Sequence, residues 1–286
     1  MIEASNVAVL YHANCADGFA AAWAAYRLYG DKATYIPVTH GKPVPDGLDG
    51  KDVLIADFSY KRDTLEGIRE IAKSILVLDH HKSAQEDIGD LDYAIFDMDR
   101  SGAGITWDVL HKGKTRPKLI DYIEDRDIWN WKLPGAKQIL LTFECVPFDF
   151  DVWTAIAERM DTEEGLESLR VQGRNLEKYR DAMIERVEKQ VYETLVKVTL
   201  GGEEKEFKIQ CLNSPLFQSE IGHNLCNGYP FSLVWSKLAE GEYRCSFRST
   251  DEGEDVSAIA RCFGGGGHRN AAGCTMTAPP EPVGAD

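Results

Sequence analysis

The stretch Ser74–His81, SILVLDHH, decides how the chain reads. Its first five residues form a short apolar run, the pattern of a buried strand. Asp79, His80 and His81 follow at once. Adjacent histidines directly after a buried strand serve little structural purpose, whereas an acid and two imidazoles together are good metal ligands. Working outward, Asn6–Tyr11 (NVAVLY), Ala33–Val38, Asp52–Ala56 (DVLIA) and Asp92–Phe96 (DYAIF) read as further strands. Between them, the Ala-rich Asp17–Tyr29 and the stretch Asp63–Lys73 read as helices, with Gly30 as a stop. Lys42–Gly50, with two prolines and two glycines, reads as a loop. Such β–α alternation predicts an α/β fold whose N-terminal sheet is mostly parallel and flanked by helices.

In open sheets of this kind, sites form outside the carboxyl ends of the strands. His12, Cys15 and Asp17 follow the first strand, Asp57 follows DVLIA, and Asp79-His80-His81 follow SILVL. The three groups should therefore meet on one sheet edge. Mixed carboxylates and imidazoles suit Mn²⁺, Fe²⁺, Co²⁺ or Zn²⁺, and a carboxylate such as Asp57 can bridge two ions. Glu124–Trp131, EDRDIWNW, offers Asp125 and Asp127 as competing further ligands. Trp129 and Trp131 there read as packing residues, with base stacking as the alternative; Trp23 and Trp107 read as core. His40, His111 and His223 lack partners at ligand spacing and read as surface or cap residues.

Residues 101–157 read as several helices, the first capped by Ser101, and 162–197 as one long amphipathic helix. After Leu200 the texture changes. Phe207–Leu212, Phe231–Trp235 and Tyr243–Arg248 read as strands, and Phe217–Cys226 and Ser257–Phe263 as helices, making a smaller α/β unit. Gly264–Gly267 and His268 then offer backbone N–H groups without side-chain hindrance, which suits an anion. Arg248, Ser249, Gly265, Gly266, Gly267 and His268 are the candidate phosphate or nucleotide clamp. The expected organisation is a metal-binding domain over 1–160, a helical connector over 161–197 and a substrate-binding domain over 198–286. The Pro-rich tail from Ala278 is expected to fray.

Composition narrows the partners. The 286 residues carry 32 Lys and Arg against 47 Asp and Glu, a net charge of −15. A protein that grips long nucleic acid usually presents a basic surface, so long duplex DNA is a poor match and a short phosphorylated substrate a better one. No apolar run approaches the ~18–20 residues of a membrane span, and the opening MIEASNVAVLYH lacks the basic and apolar regions of a signal peptide. Seven scattered cysteines without a C-x-x-C imply reduced thiols and a cytoplasmic location.

The ordered motifs H-x-N-C-A-D-G at 12–18, Asp57 after its strand, D-H-H at 79–81, E-D-R-D-x-W at 124–129 and G-G-G-G-H-R-N-A-A-G at 264–273 resemble the DHH phosphoesterase superfamily with its C-terminal DHH-associated domain. The likeness spans His12 to Gly273 and leans towards the NrnA- and NrnB-like oligoribonucleases, or nanoRNases. It implies two Mn²⁺ ions held by His12, Asp17, Asp57, His80 and Asp127, with Asp57 bridging and His81 over the substrate, orienting or protonating the leaving oxygen. Arg248, His268 and the glycine backbone would hold the far phosphate. Cys15 stands where the family usually has an aspartate; as a thiolate it would favour Fe²⁺, Co²⁺ or Zn²⁺ over Mn²⁺. The implied activity is hydrolysis of short oligonucleotides, pApA-like dinucleotides included, to 5′-mononucleotides by two-metal hydroxide attack. The alternatives sharing these motifs are an exopolyphosphatase or pyrophosphatase, a cyclic (di)nucleotide phosphodiesterase, a RecJ-like single-strand exonuclease and a non-catalytic nucleotide sensor.

Overall fold

The computed structural model describes residues 6–239 and 241–283. Two compact units divide at Glu177 and Lys178. The first contains β1 (Val7–His12), α1 (Ala16–Tyr29), β2 (Thr34–Val38), β3 (Asp52–Ala56), α2 (Arg62–Ile71), β4 (Ser74–Asp79), α3 (Lys82–Ile88) and β5 (Ala94–Phe96). The strands form one sheet in the order β2-β1-β3-β4-β5, and every neighbouring pair is parallel. After β1 the chain adds β2 on one side, then returns to place β3 on the other. The β1/β3 junction is thus a topological switch point, where a crevice opens at the carboxyl ends.

The apolar runs are continuous because the sheet is covered on both faces. Ala8, Leu10, Val53, Ile55 and Val77 point to one side and pack with Leu65, Ile68 and Ile88 of α2 and α3. Val7, Val9, Leu54 and Leu78 point to the other, towards Ala25 of α1 and Ile105 of α4. On that second side the unit is completed by α4 (Gly102–Leu110), α5 (Lys118–Asp127), α6 (Ala136–Phe143) and α7 (Phe150–Met160). Fully buried Trp23 and Trp153 belong to their core.

Helix α8 runs from Glu163 to Glu188, so the division between the units falls inside it. Leu166 and Leu169 belong to the first unit's core, and Ile184 to a cluster of the second. The segment 192–197, expected as the end of a helical connector, is instead strand. The second unit comprises β6 (Tyr192–Leu200), β7 (Glu203–Asn213), α9 (Gln218–Leu225), β8 (Ser232–Lys237), β9 (Tyr243–Arg248), α10 (Val256–Cys262), β10 (Gly266–His268) and β11 (Ala271–Met276). Its mixed sheet has the order β10-β11-β9-β8-β7-β6, with only β7 and β8 parallel. Gly201 and Gly202, both at positive φ (61° and 87°), join β6 to β7 in the two-residue turn that suits a hairpin.

The tail does not fray as expected. The Val283 amide donates to Glu193 O (2.9 Å), and the Tyr192 hydroxyl donates to Pro280 O (2.9 Å). Bonds to β6 from one backbone amide and two side-chain hydroxyls thus hold 280–283; residues 284–286 of that tail, like 1–5 of the N-terminal reading, lie outside the described residues. Among the described residues no helix is long and apolar enough to cross a membrane.

Candidate metal centre

Three strand ends build the site. His12 closes β1, Asp57 follows β3, and Asp79-His80-His81 close and follow β4. The turn out of β1 is tight: a Cβ at Gly18 would lie 2.3 Å from His12 O and 2.7 Å from its Cβ, so only glycine lets α1 start beside the histidine. Asp57 has φ 54°, and its amide donates to Leu78 O (2.9 Å). Left-handed backbone costs a non-glycine residue of order 1–3 kcal/mol and concentrates at functional sites. Helix α4 presses on it, since a Cβ at Gly102 would lie 2.4 Å from Asp57 Cβ. Asp17, on the first turn of α1, reaches across to the start of α4 and accepts from Gly102 N (2.6 Å) and Ala103 N (3.1 Å). The expected cap of α4 is present too: Ser101 Oγ accepts from Gly104 N (3.1 Å).

These elements assemble two groups of ligand atoms. One is His12, Asp57 and His81; the other is Asp17, His80 and Asp127; within each, the atoms lie within 4.8 Å of one another. Asp57 faces both. Its Oδ1 lies 3.2 Å from His80 Nε2, and its Oδ2 3.5 Å from His12 Nδ1. His80 Nε2 is also 3.7 Å from Asp17 Oδ2 and 3.4 Å from Asp127 Oδ2. Asp17, Asp57 and His80 are buried, whereas the side chains of His12 and Asp127 are 27% and 26% exposed, which leaves the site open to solvent on one side. His12 Nδ1 and Asp57 Oδ2 are buried without a hydrogen-bond partner. Orphaned polar atoms of this kind are rare, and a nitrogen and a carboxylate oxygen aimed at each other fit a shared cation.

His81 therefore stands closer to the ligand atoms than the resemblance implied. Asp79 Oδ1 lies 2.7 Å from its Nδ1 and also accepts from His80 N (2.8 Å). A carboxylate on Nδ1 fixes the ring and leaves Nε2 for a ligand or proton.

The charged run on α5 divides its work. Glu124 accepts from Arg100 Nε and Ser101 N, both at 3.0 Å. Asp125 accepts from Lys132 N (2.8 Å) and Leu133 N (3.0 Å), so it holds the following loop, and Asp127 joins the cluster. Cys15 is the N-cap residue of α1 without a side-chain cap bond, and it belongs to neither three-residue group. His40, read as a surface or cap residue, lies beside the site: its ring stacks on Phe58 (4.4 Å) and is 5.6 Å from that of His12. The signal for it was its place two residues after β2. His111 is the C-cap of α4, buried, with Nε2 2.8 Å from Ala24 O.

Packing Asp17, Asp57 and Asp127 against His80 and His81 shifts their protonation. Burial, then Asp127 and Asp57, hold the Asp17 carboxyl well above the usual range, and burial raises Asp127. Burial opposes the charge on His80, but Asp127, Asp57 and Asp17 outweigh it and hold the imidazole well above its ordinary value. Burial likewise opposes His81, and Asp79 outweighs it. Burial would raise Asp57 as well, yet its contacts with His12 and His80 carry it below the usual range. Burial and the three site carboxylates keep the Cys15 thiol protonated. Without a cation, the cluster retains protons that divalent ions would displace.

The proposed clamp in the second unit is more occupied than the sequence suggested. Gly264 N and Gly265 N donate to Arg261 O and Ala260 O at the end of α10, so neither is available to cradle an anion. Gly266–His268 form an edge strand paired with β11. A Cβ at Gly265 would lie 2.0 Å from Gly273 O, which gives that glycine a packing reason. Arg248 donates to Ser246 Oγ (2.9 Å), Phe247 O (2.7 Å) and Ser219 Oγ (2.8 Å). Ser249 is buried and its hydroxyl lies 3.4 Å from Arg269 O, bracing the turn next to β11.

No model of a known protein family matches the sequence. The chain is 35% identical over 290 residues to the uncharacterized protein R106 of Acanthamoeba polyphaga mimivirus, covering 94% of this chain and 67% of R106. It is 21% identical over 250 residues to the oligoribonuclease NrnB of Bacillus subtilis, covering 79% of this chain and 59% of NrnB. Among solved structures, RecJ of Thermus thermophilus in complex with Mn²⁺ superposes with a TM-score of 0.52 at 16% identity, over 94% of this chain and 49% of RecJ. The chain thus belongs to one family with R106, its fold is like that of RecJ, and the order of its motifs resembles the DHH phosphoesterase superfamily.

Proposed function

We propose that the chain is a metal-dependent phosphodiesterase that hydrolyses short oligonucleotides, pApA-like dinucleotides included, to 5′-mononucleotides. The observation that carries this reading is the pair of ligand groups joined by Asp57, each of whose carboxylate oxygens faces one of them. His12, Asp57 and His81 would hold one divalent ion, and Asp17, His80 and Asp127 the other. Mn²⁺ fits such a set of oxygens and imidazoles; Fe²⁺, Co²⁺ and Zn²⁺ are the alternatives. When bound, two such ions supply Lewis acidity and a nucleophilic water for in-line displacement at phosphorus. The chain's own residues do the rest. Asp57 sets the spacing of the two groups, and the start of α4 anchors Asp17. Asp79 orients His81, whose Nε2 is placed to act on the substrate's leaving oxygen when it is not itself a ligand.

The likeness to NrnB supports an oligonucleotide substrate, and the net charge of −15 supports a short one, since two to five nucleotides need no basic track. In the second unit, Arg248 would take a phosphate only by exchanging hydrogen bonds it already makes. The free thiols fit a reducing, cytoplasmic setting. The test is product analysis after incubation with Mn²⁺ and pApA, beside inorganic polyphosphate and a cyclic dinucleotide. AMP from pApA at a higher rate than product from the other two supports the reading. Intact pApA with rapid loss of polyphosphate or of the cyclic dinucleotide overturns the substrate.

A further inference from the structure

The loop after Asp127 carries two tryptophans in a conformation that bulky side chains rarely adopt. Trp129 has φ 58° and Trp131 φ 53°. The loop is held by several bonds at once. Trp129 N donates to Arg126 O (3.0 Å), and Asn130 N and Trp131 N both donate to Asp125 O (2.9 and 3.1 Å). The buried Asp125 carboxylate accepts from Lys132 N and Leu133 N. Strain persists where the surroundings over-determine it, and it clusters at ligand sites.

The two indoles differ in what they touch. Trp131 is partly buried against the main core of the first unit, with Lys137 Nζ 5.4 Å from its ring centroid. Packing accounts for the burial of its ring. Trp129 is 39% exposed and meets Trp131 edge to face (5.1 Å, 78°). A core role does not account for its exposure. Two peptide units separate it from Asp127, so its Cα lies at most ~7 Å from that of the ligand residue. A rigid aromatic surface at that distance from a phosphate-handling centre matches a base attached to the reacting nucleotide. Such a face accepts any base, because each base has a π-surface.

We infer that Trp129 is the platform on which a nucleobase of the substrate stacks, which rests on the reading of the centre as a nucleotide phosphodiesterase. Trp129 then sets the preference for nucleotides over other phosphate esters, and Asp125 is its positioning residue.

The test compares equilibrium binding of AMP and of ribose 5-phosphate to the Mn²⁺-loaded protein, with circular dichroism as the check on folding. The wild type should prefer AMP by about 5- to 150-fold, the range for one base on an aromatic face. Trp129→Ala should bring that ratio near one while leaving ribose 5-phosphate binding unchanged, and Trp129→Phe should retain most of it. A wild-type ratio near one, or a ratio that Trp129→Ala does not alter, overturns the inference. So does a Trp129→Phe protein that is folded yet as poor as the alanine variant, because a platform needs only an aromatic face. Binding is read without turnover. If pApA is not cut while Trp129 still governs the AMP preference, the substrate reading falls and the platform stands.

Discussion

The carboxyl edge of the parallel sheet and the glycine hairpin of the second unit both gather groups that suit a phosphorylated ligand, but they treat those groups differently. At the sheet edge, His12 Nδ1 and Asp57 Oδ2 are buried without hydrogen-bond partners, and Asp57 holds a strained backbone. At the hairpin, Gly264, Gly265, Arg248 and Ser249 all have partners inside their own unit. Unsatisfied polar atoms lower stability, so a fold that retains them has a use for them; satisfied ones need no ligand to explain them. By that criterion the proposed chemistry belongs to the first unit.

The largest expected effect breaks the sheet edge. Asp57→Asn should reduce AMP release from pApA by about 10³-fold or more, because one oxygen of each group is weakened at once. A rate within a few-fold of wild type would remove the first unit's claim. Asp79→Asn keeps the candidate ligands and disturbs the orientation of His81 and the bond from the His80 amide; a loss of ~10–100-fold in activity or Mn²⁺ affinity is expected, as for other outer partners of metal sites.

Protonation sharpens the same contrast. Asp17, Asp127 and His80 are all raised above their ordinary values, so they carry protons at pH values where an ordinary carboxylate or imidazole would have lost them. Mn²⁺ needs them deprotonated. Its binding should release protons and weaken as pH falls, by up to ~10-fold per pH unit for each proton displaced. Calorimetry in buffers of different ionisation enthalpy reads this directly; binding without proton release would contradict the clustering. The smallest effect belongs to the hairpin side. Arg248→Met should raise KM for pApA by less than ~10-fold with kcat nearly unchanged, because any bond to phosphate replaces bonds already made to Ser219 and Phe247. A kcat collapse would place Arg248 in the chemistry.

Much of the first unit was legible because its strands are buried on both faces and end in polar residues. Periodicity located β3 at Asp52–Ala56 and β4 over Ser74–Leu78, one residue short of its end, and the rule for strand ends brought His12, Asp57 and His80 together. The choice between Asp125 and Asp127 was not legible. Both sit on one short run, and only the path of the 128–133 loop decides which carboxylate meets backbone amides. Strand β6 was misread as helix because its charged residues mimic the preceding α8. The true signal was the short alternation Val196-Lys197-Val198-Thr199 ending at Gly201-Gly202, where the two valines are buried and Lys197 and Thr199 exposed. The glycine run looked like an anion cradle because composition does not say where an N–H points. Gly265 is there because Gly273 O leaves no room for a side chain.

The central claim is that Asp57 joins two divalent-ion sites. Equilibrium dialysis against Mn²⁺, with electron paramagnetic resonance of the bound ions, tests it most directly. Wild-type protein should bind two Mn²⁺ per chain, close enough for their spins to couple, and Asp57→Asn should lose the coupling and at least one ion. Binding of one isolated ion by the wild type, or two coupled ions retained by Asp57→Asn, would contradict it.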